Sequence, residues 1–169
     1  MNRLLAGAAA GAVATVPMTF FWEALHARLE GEPPRPLPPR EVTETLAVKA
    51  GVNGELSERE MQELTLAVHV GYGALTGALY GAVAPRSLAG GLFAGVGFGM
   101  LVWSGSYLGW LPRLGVRQPV SYDPPARTGL MIAAHVVFGA SLGIITALGS
   151  GSARRGRRRR ASIPGPARA

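Results

Sequence analysis

Four long stretches of this sequence carry no charged side chain: Leu4 to Trp22, Leu64 to Pro85, Ser87 to Pro112 and Thr128 to Ala153. A helix needs about 20 residues to cross roughly 30 Å of hydrocarbon, and each stretch is about that long or longer. A water-soluble fold would seldom leave four such lengths without a charge. The pattern therefore predicts an all-α protein, a four-helix transmembrane bundle with spans at about 4–22, 64–85, 87–112 and 128–153. Together they form one integral membrane domain, residues 1–153. The spans are rich in Gly and Ala, so each residue contributes less to insertion than in a Leu-rich helix.

The first stretch resembles a signal peptide at its start, with AVA at 12–14 as a small-residue cleavage site. The apolar run continues through Phe20, Phe21 and Trp22, and the segment is expected to stay as a membrane anchor. The chain has no cysteine, which removes disulfides, thiolate metal sites and thiol nucleophiles together.

Charge is uneven. Of 17 basic residues, seven are arginines in the last sixteen positions, and they account for the net charge of +7. A basic cluster directly after a membrane helix is expected to stay cytoplasmic, beside anionic lipid. Four spans then place both termini inside, as in a multi-pass protein of a bacterial inner membrane. Five basic residues in the 23–63 connection and three in 113–127 fall on the outer side and count against this orientation. The tail, 154–169, has no aromatic residue to stack on bases. It is expected to be a disordered anchor for anionic lipid rather than a nucleic-acid site.

The first outer connection contains GEPPRPLPPR, an expected extended spacer because proline fixes its own dihedral and restricts its predecessor. Val42, Leu46 and Lys49 are then spaced for a short extra helix ended by Gly51, and Ser57 with Glu60 has capping-box spacing at the start of the second span. The PRS connection at 85–87 makes the second and third spans antiparallel neighbours in a tight hairpin.

Two stretches align without gaps. AVHVGYGALTGALYG at 67–81 and AAHVVFGASLGIITA at 133–147 share a histidine, an aromatic and two glycines in register. A weaker echo joins Leu4, Gly7, Ala10 and Gly11 to Leu88, Gly91, Ala94 and Gly95. The chain reads as two related helical hairpins, with a pseudo-two-fold axis along the membrane normal. Lipid offers little hydrophobic gain for joining helices, so close approach at small residues must supply it. Small-xxx-small spacing recurs as Gly7/Gly11, Gly73/Gly77/Gly81, Gly91/Gly95/Gly99 and Gly139/Gly143. These glycines are the expected packing seams, a glycine-zipper arrangement.

The tandem H-x-x-[YF]-G-x-x-x-G at 69–77 and 135–143, after a small-residue first span and a Pro-rich connection, resembles the YagU-like family of small bacterial inner-membrane proteins. That resemblance implies a multi-span membrane protein without an assigned activity. The basic tail departs from it.

The candidate polar or ligand site comprises His69, His135, Tyr72, Glu23, His26 and Glu63. His69 and His135 enter from the same end and should lie at similar depth. Neutral imidazoles on facing helices could ligate haem iron axially or share a transition metal with carboxylates; the plainer alternative is that each bonds a neighbouring helix and fixes register. Glu23 and His26 form E-x-x-H, a spacing used in carboxylate-bridged bundles, without the second motif those bundles need. Trp22, Tyr107, Trp110 and Tyr122 are expected to form an aromatic belt at the outer edge. No nucleophile elbow, phosphate loop, HExxH or dinucleotide fingerprint occurs, and no catalytic residue is assigned. The expected role is non-enzymatic: a membrane-embedded interaction or accessory protein without a cofactor, in the lipid bilayer and bound to another membrane protein or to further copies of itself. Two alternatives are a small transport or proton-linked protein using a His69/His135 cleft, and a bis-histidine haem-binding electron carrier.

Overall fold

The computed structural model describes residues 2–26 and 38–161, with side chains through residue 150. Its elements are α1 (Arg3–His26), α2 (Pro38–Lys49), α3 (Glu58–Val83), α4 (Leu88–Ser104), α5 (Leu111–Arg113) and α6 (Pro125–Ala161). Among the described residues there is no strand, and the architecture is an all-α four-helix bundle. Four helical segments, Arg3–His26, Glu58–Val83, Leu88–Arg113 and Pro125–Ser150, are long and apolar enough to cross a membrane. These features are those of a multi-pass membrane protein.

The helix ends follow local chemistry. Ser57 caps α3 in a reciprocal box, its hydroxyl accepting from the Glu60 amide while the Glu60 carboxylate accepts from the Ser57 amide at 2.8 Å. Two of the first-turn donors that have no intrahelical partner are thereby satisfied. Ser57→Ala is expected to lower stability by about 1 kcal/mol, measured by denaturant titration in micelles. At the other end of α3, the Arg3 guanidinium donates to Gly81 O at 3.1 Å and Ala84 O at 2.7 Å. A cation thus sits at the negative end of that helix. After α2, Gly51 takes φ of 76°, a left-handed conformation that suits glycine.

α1 packs along α3, and α4 along α6. Gly7 meets Gly77 and Gly81, and Gly11 meets Gly73 and Gly77; in the second pair Gly91 meets Gly143 and Ala147, Gly95 meets Gly139 and Gly143, and Gly99 meets His135 and Gly139. At each of these positions a Cβ would collide with backbone across the seam. The contacts occupy matching positions of the two aligned stretches. The larger side chains then turn to lipid: Leu75, Leu79, Phe93 and Leu101 are all more than half exposed, an arrangement natural where the solvent is hydrocarbon.

The two pairs join unequally. α1 lies close to α6, where Ala10 and Ala14 receive Phe138 and Leu142. α3 and α4, although tied by the short 84–87 connection, hardly approach one another along their backbones. They meet through Tyr72 Oη to Ser106 Oγ at 2.8 Å and Tyr80 Oη donating to Gly91 O at 2.9 Å. The tight hairpin expected there supplies a turn, but the close seams form between α1 and α3 and between α4 and α6. Bulky tyrosines face α4, whereas glycines face the other partner.

Three further expectations change. Pro38 and Pro39 belong to α2 rather than to an extended spacer, since proline is tolerated in the first helical turn where its missing N–H has no partner to lose; the rest of the spacer, through residue 37, lies outside the described residues. The α6 backbone continues to Ala161, so the helix extends into the first part of the basic tail that is expected to be disordered. Residues 162–169 lie outside the described residues. Finally, Trp22 is buried and Tyr107 half-buried inside the bundle. Only Trp110 and Tyr122 are exposed as a belt requires.

Candidate functional site

Where α3 and α4 stand apart, the end of the bundle nearest α2 encloses a cavity of about 170 Å³. α1 contributes Met18 and Thr19, α3 His69 and Tyr72, and α6 His135 and Phe138. The α4 side is shaped by a π-helical turn, Gly105–Trp110, closed by the Leu111 amide donating to Ser106 O. That widened turn, with Gly109 at φ −105° and ψ −105°, carries Ser106, Tyr107 and Trp110 into the cavity wall. Such turns recur at functional sites because they redirect side chains within a helix.

The two histidines occupy equivalent positions and share one space. His135 Nδ1 lies 2.8 Å from Met131 O; a carbonyl only accepts, so Nδ1 carries the proton. Its ring also meets Tyr107 edge-on, with centroids 5.7 Å apart. His69 Nε2 lies 3.4 Å from Thr19 Oγ1. Thr19 in turn donates its only hydroxyl hydrogen to Thr15 O at 2.9 Å. Tyr72 joins them as a wall residue through its bond to Ser106 and a tilted contact with Trp110 at 6.1 Å.

The other proposed ligands are elsewhere. Glu23 and Glu63 are exposed, and Glu63 pairs with Arg59 at 2.9 Å. His26 stacks on Trp22 at 5.5 Å. None of the three lines the cavity, and among the described residues no group of three or more His, Asp or Glu side chains is arranged to hold a metal. The cavity thus brings together His69, His135 and Tyr72 but not Glu23, His26 or Glu63. The physical reason is rotational: the acids sit on the outward faces of α1 and α3, away from the histidines.

The cavity is roofed by α2, whose Pro38, Pro39, Val42 and Leu46 line it. Holding the roof is an ion cluster. Arg117 binds Asp123 bidentately at 2.8 and 3.0 Å and reaches Glu41 of α2 at 2.9 Å. Arg127 donates to the same Glu41 at 3.1 Å. Its side chain is only 1% exposed, and those of Arg117 and Asp123 are 6% and 8% exposed. Burial works against the charge of Arg117, but the Asp123 hydrogen bonds and the Glu41 and Asp123 charges outweigh it, so its pKa is raised and the guanidinium stays charged. Arg117 also lies 5.2 Å over Tyr107, and Arg127 5.9 Å over Trp22. The available signal was the excess of basic residues, Arg113, Arg117 and Arg127, in a connection expected to face outward, with the carboxylate of Asp123 between them.

No protein-family model, curated protein or solved structure matches this chain.

Proposed function

We propose that this protein is a membrane-embedded binding protein whose cavity takes a small, largely apolar molecule from the surrounding lipid. The observation that carries this reading is the roofed space of about 170 Å³ bearing two imidazoles. An apolar cavity of roughly 150 Å³ accepts a benzene-sized molecule, and pockets that combine an apolar wall with a few convergent polar groups are the usual form of small-molecule sites. The separation of α3 from α4 offers entry from lipid. This reading narrows the accessory role to ligand capture.

Binding is favoured over conduction because the opposite half of the bundle is filled. There Ala10, Ala14, Tyr80, Phe138 and Leu142 form a buried cluster between the glycine seams. A tetrapyrrole would need these helices to part, so the bis-histidine haem reading receives less support. The matching glycine contacts support two copies of one hairpin as the origin of the fold. An inner-membrane location with both termini cytoplasmic is supported by the arginines at the end of α6, and by the ion pairing of Arg40, Arg59, Arg117 and Arg127 at the opposite end.

The test is mass spectrometry of small molecules extracted from purified protein. A compound enriched over an unrelated membrane protein is expected, reduced at least about fivefold in Val102→Trp, which fills the cavity from its α4 wall. A fivefold loss corresponds to about 1 kcal/mol of binding. Identical extracts from the two proteins would overturn the reading.

A further inference from the structure

Resting on that binding role, we infer that the ligand is a hydrogen-bond donor: a neutral, ring-sized molecule bearing a hydroxyl, of the phenol or hydroquinone type. The argument is an accounting of hydrogens along the wall. Nδ1 of His135 gives its proton to Met131 O, so in the neutral ring Nε2 is a bare lone pair. Thr19 has already given its hydrogen to Thr15 O and can only accept from His69. His69 therefore carries its proton on Nε2 and leaves Nδ1 as the lone pair. The remaining threonines on the wall are spent likewise, Thr15 donating to Ala12 O at 2.7 Å and Thr76 to Tyr72 O at 2.9 Å.

Tyr72 and Ser106 share one hydrogen between them and retain another. Tyr107 adds a hydroxyl on the side of the ion cluster. Hydroxyls rotate and serve as donor or acceptor; a neutral imidazole nitrogen cannot change its role without a change of charge, which burial disfavours. Neither His69 Nδ1 nor His135 Nε2 has a hydrogen-bond partner among the described residues, and neither is among the polar atoms sealed from access. A ligand carrying only acceptors would leave both lone pairs without the hydrogen that water supplies, and would lose affinity accordingly. A hydroxyl on an apolar ring donates to one of them, and a second hydroxyl, as in a hydroquinone, to the other, while the body fills the space beside Met18 and Phe138. No covalent or redox step is implied.

The experiment uses the full chain in nanodiscs and three fluorinated probes of nearly equal size: 4-fluorophenol, 4-fluoroanisole and 4-fluorobenzaldehyde. Binding is read by fluorine NMR against empty nanodiscs. The phenol is expected to bind about tenfold more tightly than its methyl ether, a difference of about 1.4 kcal/mol, and the aldehyde no better than the ether. At least one of His135→Phe and His69→Phe, each checked for folding by circular dichroism, should reduce that preference while still binding the ether, because the single hydrogen of the phenol reaches one lone pair. Equal binding of all three probes, or preference for the aldehyde, overturns the donor assignment and leaves the binding role standing. No binding of any probe above empty nanodiscs overturns both. The wild-type comparison decides the matter even if neither variant folds.

Discussion

A leucine at Gly95 is expected to destabilise the protein by about 3 kcal/mol or more, whereas a leucine at Gly97, two residues along the same helix, should change stability by less than about 1 kcal/mol. Gly95 lies on the α4–α6 seam. A Cβ there would strike Gly139 O and come within 2.9 Å of Gly143 Cα, with backbone on every near side and no flexible side chain able to retreat. The helices must separate, and in lipid the lost close contact has no hydrophobic compensation. At Gly97 nothing lies within 4 Å, and replacing glycine gains up to about 1 kcal/mol in helix propensity. Unfolding in mixed micelles followed by circular dichroism separates the two. Equal losses at both positions would show that this seam does not hold the bundle.

The second large effect concerns the roof. Asp123→Ala should cost about 3–5 kcal/mol, because it removes one of the two carboxylates, Asp123 and Glu41, between which the buried guanidinium groups of Arg117 and Arg127 are held. The stability of such a cluster lies less in the attraction itself than in the penalty of leaving one sign uncompensated away from water. Asp123 orients the guanidinium groups that hold Glu41 of α2, so amide hydrogen exchange across residues 38–49 should quicken by more than in the transmembrane helices. The control is Arg59→Ala. Its partner Glu63 is 64% exposed and the pair lies along one helix face, where such pairs contribute well under about 1 kcal/mol. If Asp123→Ala and Arg59→Ala behave alike, the cluster does not anchor α2.

Several features were legible before any coordinates. Absence of charge over four stretches marked the four long helices, because the cost of a charge in hydrocarbon is paid locally by each segment. The α3 boundary was legible in Ser57 and Glu60, because a cap involves neighbours in the chain. α2 was visible in its spacing and its terminal glycine. The two histidines could be singled out as polar groups within apolar spans.

Other features were not legible, for reasons that lie in particular residues. The α3–α4 connection is short enough to dictate neighbours, yet the tight seams depend on which faces are both small: Gly77 finds Gly7 and Gly11 on α1, while Tyr72 and Tyr80 hold α4 away. Glu23 and Glu63 sit near the histidines in depth, but depth says nothing of rotation about the helix axis. Ser106 and Tyr107 enter the wall because a π-helical turn shifts their direction, which a periodicity of 3.6 residues does not anticipate.

By itself, then, the order of residues determined the helical content, the approximate ends of the spans and the small-residue stripes, all consequences of local backbone chemistry and solvent preference. Tertiary structure alone decided which stripes pair, where a cavity remains and how Glu41, Arg117, Asp123 and Arg127 come together across a sequence separation of 86. Those outcomes depend on the complementarity of two surfaces at once, and a stripe of glycines carries no record of the partner that will meet it.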